Sequence, residues 1–161
     1  MPPPTSKRRM TSPPQLLLRR LRKPPPTKKR KKTSNPLTDT HNMNSKQLAF
    51  ACAQVACDAK ASDIAIYDLR GTSSITDFAV VCTATSVPHL RAIMGDVDKE
   101  VWEKYEISPV YAERTPNALW CVLDYIDVML HVMAGETREF YELETLWKPE
   151  NRVEWNDGDQ A

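Results

Sequence analysis

The stretch DFAVVCTA (77–84) limits the fold more than any other part of the chain. It is almost wholly apolar, carries adjacent valines and is too short for a buried helix. A strand that shows no polar face must be covered on both sides, so this run belongs in the middle of a sheet with layers packed against it. RGTSS (70–74) makes the turn that leads into it, and Ser86 caps the next element.

The neighbouring segments supply the rest. NSKQLAFACAQVACDAK (44–60) places Leu48, Ala49, Cys52, Val55, Ala56 and Ala59 at helical spacing, and Asn44 with Gln47 reads as a capping pair, which predicts a helix over 45–60. DIAIYDL (63–69) alternates as a strand. From Ser86 a second helix tolerates Pro88 in its first turn and carries Leu90, Ile93, Met94, Val97, Val101 and Tyr105 on one stripe, ending before Pro109. PVYAE (109–113) predicts a short strand, Thr115-Pro116-Asn117 a turn. ALWCVLD (118–124) and DVMLHVM (127–133), separated only by Tyr125-Ile126, form an antiparallel pair. ETREFYELETLW (136–147) spaces Phe140, Leu143, Leu146 and Trp147 as a last helix or helical turn folding back on the sheet. The order predicts an α/β domain with a mixed five-stranded sheet flanked by helices.

Charge divides the chain in two. Residues 1–42 hold twelve of the 22 lysines and arginines against one acid, Asp39, and nine of the 13 prolines, while residues 43–161 hold ten bases against twenty acids. The formal charge of +1 is therefore a cancellation between a +11 segment and a −10 one. The composition predicts a disordered basic tail over 1–42, one domain over 43–149 and an acidic tail over 150–161, since roughly 100 residues suit one core. PPPTKKRKKTSNP (24–36) is a charge run that stays solvated and attracts phosphates or anionic surfaces. It fits a tether to ribosomal RNA or other nucleic acid, a nuclear-import-like signal, a transit peptide that includes LLLRRLR (16–22), or a plain extension upstream of a start at Met43. No apolar stretch is long enough for a secretory core or a membrane span, so the expected setting is cytoplasmic, or a mitochondrion or chloroplast if the tail is a transit peptide. Cys52, Cys57, Cys82 and Cys121 form no CxxC pair and have no histidine at zinc-finger spacing, which argues against a structural metal site; Cys82 and Cys121 lie inside apolar runs and read as reduced core residues, and no cofactor is expected.

The polar stretches offer little to catalysis. Ser73 and Ser74 follow Gly71 without the second glycine of a nucleophile elbow, and GTSSIT lacks the lysine of a phosphate loop. Ser73, Ser74, Thr76 and Asp77 instead suit a tight connection held by side chain to backbone hydrogen bonds. Asp124 and Asp127 are the one carboxylate pair that resembles a nucleotidyl-transfer metal clamp, but a strand brings together residues two apart, and these stand three apart across a turn. His131, inside VMLHVM, is more often a satisfied core histidine than a catalytic one, and His89 reads as a helix-start or surface contact.

DLRGTSSITDFAVVCTATSVPH (68–89), the later constellation of Trp120, Asp124, Asp127, Val128, His131 and Val132, and ETREFYELETLW (136–147) together resemble the ribosomal silencing factor family, also called the Iojap-related family. The resemblance spans about residues 45–148 and leaves the tail outside. It implies a mixed-sheet fold similar to nucleotidyltransferases without their catalytic residues, and a protein that is not an enzyme. It further implies binding to the large ribosomal subunit through ribosomal protein L-fourteen, where the small subunit would dock, so that subunit joining is blocked and translation repressed. Organelle members assist large-subunit assembly, and relatives suggest a homodimer when free.

Placed on this sequence, the resemblance makes Trp120, Tyr125, Asp127, His131, Arg138, Tyr141, Glu144, Leu146 and Trp147 the expected contacts with the ribosomal protein, aromatics as anchors and charges setting register. Core packing is the competing reading for Trp120 and Trp147. Three positions depart from the family pattern: Ala84 and Ile126 stand where glycine is usual, and Arg114 where a glycine often follows the glutamate. Isoleucine resists the positive φ that glycine permits, so a different hairpin geometry is expected at Ile126.

Overall fold

The computed structural model describes residues 43–157. The expected tail over 1–42 lies outside the described residues.

Helix α1 (Ser45–Asp58) starts where the capping pair predicts: Gln47 N donates to Asn44 Oδ1 at 2.8 Å and Asn44 N donates to Gln47 Oε1 at 3.0 Å. It stops two residues short of the predicted end, and Lys60 takes a left-handed φ of 66° as the chain turns into β1 (Ser62–Asp68). β2 (Phe78–Ala84) comes next, then α2 (Val87–Tyr105), capped by Ser86, whose side chain accepts from His89 N at 3.2 Å. The remaining elements are β3 (Tyr111–Ala112), β4 (Trp120–Asp124), β5 (Val128–Ala134), α3 (Gly135–Tyr141), short 3-10 turns at Leu143–Leu146 and Pro149–Asn151, and β6 (Arg152–Val153).

The strands form one mixed sheet in the order β3-β4-β5-β2-β1-β6. Only β2 and β5 run parallel, Val80 opposite Leu130, and the other pairs are antiparallel, including the expected β4–β5 pair. DFAVVCTA therefore does lie in the middle. Its alternate residues feed two layers: Phe78, Val80 and Cys82 face α1 and α2, while Ala79 and Val81 face the segment after β5.

Two expectations change. The sheet has six strands rather than five, because Arg152–Val153 pairs with Tyr67 and Ile66 of β1. Residues 150–157 are thus no detached acidic tail: Val153 and Trp155 pack on the core, and Asn151 Nδ2 donates to Asp68 O at 2.6 Å. Two residues of strand among acids leave almost no periodic signal, and the pairing is supplied by an open sheet edge. Of the helix or helical turn expected over 136–147, the structure has the shorter form: Glu142 at φ 44° ends α3 and starts a separate 3-10 turn.

Candidate functional site

The face of the sheet turned away from α1 and α2 is covered by residues 135–147 and holds most of the expected contact residues. Trp120 and Val122 from β4, Met129, His131 and Met133 from β5, and Val81 from β2 form its floor, with Leu143 seated on it. Trp120 and His131 are 5% and 2% exposed, so they are core. The Trp120 indole N–H donates to His131 Nδ1 at 3.2 Å, which gives each buried polar group a partner. Burial pulls the imidazole down from its ordinary 6.5 to about 4, so His131 is neutral near pH 7.

Tyr141 and Trp147 lie half-buried above this floor. Tyr141 stacks on Trp120 with centroids 5.1 Å apart, and Trp147 on Tyr67 at 4.8 Å. Arg138 fastens the layer: its guanidinium donates to Glu144 Oε1 at 2.7 Å, to Asp63 O at 2.6 Å and to Thr83 Oγ1 at 2.9 Å. Two of the three charges expected to set register across an interface, Arg138 and Glu144, are thus engaged with each other, and Arg138 also with β1 and β2.

One expected residue and one unexpected residue of this segment stand outward. Leu146, an expected contact, is 72% exposed, and Phe140, which sequence periodicity assigns to the inward stripe, is 62% exposed and stands edge-on to Tyr141 at 5.0 Å. The break at Glu142 divides the expected stripe: Leu143 stays inward while Phe140 and Leu146 turn to solvent. Two large apolar side chains raised on a fixed aromatic layer suit contact with another macromolecule. An uninterrupted 3.6-residue period hid this arrangement.

Two expected residues stand apart. Tyr125 is buried on the opposite face among the α1 and α2 contacts, where burial pushes its phenol upward and its hydroxyl has no hydrogen-bond partner among the described residues. Asp127 lies in the exposed hairpin, where its carbonyl accepts from Asp77 N and Phe78 N, both at 3.0 Å. Asp124, the other half of the suggested metal clamp, is buried with Oδ1 accepting from Ile126 N at 2.8 Å. Among the described residues no three histidines, cysteines, aspartates or glutamates gather where they could hold a metal ion.

The hairpin keeps the left-handed geometry that isoleucine was expected to forbid: Ile126 has φ 75° and is 55% exposed. The Asp124 carboxylate and the Tyr125 N–H bond to Val128 O at 2.8 Å hold the turn closed against that preference. The TSSITD loop is internally bonded, with Thr72 Oγ1 donating to Leu69 O, Ile75 N to Ser73 Oγ and Thr76 Oγ1 to Phe78 O at 3.0–3.2 Å. His89 bridges helices: Thr85 N donates to Nδ1 at 3.1 Å, which leaves the proton on Nε2 for Ala59 O at 2.8 Å. The four cysteines are free; Cys52, Cys82 and Cys121 are buried, and burial raises the thiols of Cys52 and Cys82 to about 12. Among the described residues no helix is long and apolar enough to cross a membrane.

The family model for the ribosomal silencing factor during starvation matches residues 42–161. Among curated relatives, ribosomal silencing factor RsfS of Haemophilus influenzae is 36% identical over 88 residues, 55% of this chain and 85% of its own length. RsfS of Bacillus subtilis is 30% identical over 65% of this chain and 88% of its own length. The chloroplastic protein Iojap of Arabidopsis thaliana is 32% identical over 73% of this chain and 50% of its own. The crystal structure of a Chromobacterium violaceum protein superposes with a TM-score of 0.62 at 26% identity, covering 70% of this chain and 95% of that one. A Bacillus halodurans structure gives 0.59 at 28% identity, covering 68% and 99%. With fold, motifs and family model in agreement over the described domain, the chain belongs to the ribosomal silencing factor family.

Proposed function

We propose that the domain is a non-enzymatic translational repressor that docks on the large ribosomal subunit through ribosomal protein L-fourteen and blocks joining of the small subunit by occupying its contact. The observation that carries this reading is the pair of exposed apolar side chains, Phe140 and Leu146, on the segment that covers the Trp120–Tyr141 layer, in a chain of this family. Steric exclusion needs no reacting group, only a surface stiff enough to bind without paying for its own ordering. Trp120, His131, Arg138, Tyr141, Glu144 and Trp147 build that surface from beneath, while Phe140 and Leu146 make the contact. The rival, nucleotidyl transfer on Asp124 and Asp127, is disfavoured because Asp124 is buried in the turn.

The test is co-sedimentation of the full chain and of residues 43–161 with large subunits, small subunits and joined ribosomes at two salt concentrations. Phe140→Asp with Leu146→Asp should abolish binding to large subunits while the domain keeps its melting temperature. Unchanged binding by that variant would remove this surface from the reading. A contact of the basic tail with ribosomal RNA adds a salt-dependent increment that deletion of residues 1–42 removes.

A further inference from the structure

A pocket of about 260 Å³ opens on the other side of the sheet, between α2 and the β3–β4 edge. It is smaller than the roughly 300–1,000 Å³ of sites that take drug-sized ligands. Leu90, Met94, Cys121 and Leu123 supply its apolar lining. Burial raises the Cys121 thiol to about 11, so it is a neutral wall near pH 7.

The charges around the pocket are unequal in what they have left to give. Asp98 accepts from Arg114 Nη2 at 3.2 Å. Glu113, buried, accepts from Tyr111 Oη and Thr115 N at 3.0 Å and from Thr115 Oγ1. Both carboxylates are therefore answered by the protein itself. Arg91, an exposed residue, also lines the pocket, close enough to Cys121 to act on its thiol though less strongly than Glu113 does, and has no ion pair or hydrogen bond among the described residues. The formal charges of the lining cancel, Arg91 and Arg114 against Asp98 and Glu113, but the carboxylates have donors bound to them while the N–H groups of Arg91 have no acceptor among the described residues.

We propose that this pocket binds a small amphipathic carboxylate, its apolar part against Leu90, Met94, Cys121 and Leu123 and its carboxylate on Arg91. Arg114, which has one donor engaged by Asp98, adds further N–H groups from the rim. A cation finds both acids already engaged, and a fully polar anion leaves the apolar lining facing water. The site lies on the opposite face from Phe140 and Leu146, so it stands or falls independently of ribosome docking.

The experiment titrates the full chain with hexanoate, and with hexanol and hexylammonium as charge controls, following the melting temperature and amide NMR shifts. Hexanoate should raise the melting temperature saturably and move the resonances of Leu90, Met94 and Cys121, and hexylammonium should do neither. Arg91→Glu should weaken hexanoate about tenfold or more. Cys121→Met, which fills the pocket without touching its charge, provides a second variant and should also weaken it. No saturable hexanoate response, equal binding of hexanol, or hexanoate affinity unchanged in both variants would overturn the proposal.

Discussion

Trp120 and His131 meet as diagonal neighbours on β4 and β5, the indole N–H of one donating to Nδ1 of the other at 3.2 Å inside the layer beneath Tyr141 and Trp147. The bond turns two residues with the chemistry of a binding site into a support for one. Replacing Trp120 by Phe keeps most of the ring but leaves His131 Nδ1 buried without its donor. The expected loss is about 1–3 kcal/mol of stability, read by urea denaturation. Trp120→Ala is a poor probe of docking, because it opens a cavity and costs about 3–5 kcal/mol.

The same histidine makes stability depend on pH. Its imidazole titrates near 6.5 in the unfolded chain and near 4 when buried, so between those values the unfolded chain takes up the proton first. The stability due to neutral His131 is fully present above about 6.5 and is lost as pH falls through about 4, on the order of 3 kcal/mol in all. Urea midpoints measured from pH 7.5 down to 4.5 should fall, and His131→Gln should flatten that part of the profile. An unchanged slope in the variant would assign the loss to other groups.

Ile126 at φ 75° is a β-branched residue in the left-handed region with its side chain mostly in solvent. Ile126→Gly removes the backbone strain and gives up little buried surface, against the greater freedom of glycine in the unfolded chain. The net expectation is a gain of about 1 kcal/mol, seen as a higher melting temperature. A lower one would mean that the exposed isoleucine packs on something in solution.

Arg138→Ala cuts the contacts that tie α3 to Glu144, Asp63 and Thr83. The guanidinium and its partner are partly exposed, so the expected loss is about 2 kcal/mol rather than that of a fully buried pair. Hydrogen exchange should speed up over residues 136–147 first, with the helices on the far face protected as before. Large-subunit binding should weaken with it even though Arg138 makes no contact of its own in the proposed complex.

Much of the plan was readable along the chain because local chemistry dictates it. Asn44 and Gln47 fix the start of α1, Ser86 the start of α2, and the two-faced apolar run at 77–84 the middle of the sheet, each through interactions within a few residues or through the covering that such a run requires. Charge alone separates residues 1–42 from the acidic remainder of the chain. Which side chains face outward was decided only in three dimensions. Glu142 at φ 44° breaks the period that seemed to send Phe140 and Leu146 inward, and Arg138, which reads as a surface charge, is drawn down by Glu144 and by carbonyl and hydroxyl acceptors 75 and 55 residues away. Trp120 and His131 become mutual partners because β4 and β5 pair in one register, and Arg152–Val153 becomes strand because β1 leaves an edge to pair with. Periodicity reports the average side of an element; exposure, partner and edge depend on what the rest of the chain brings against it.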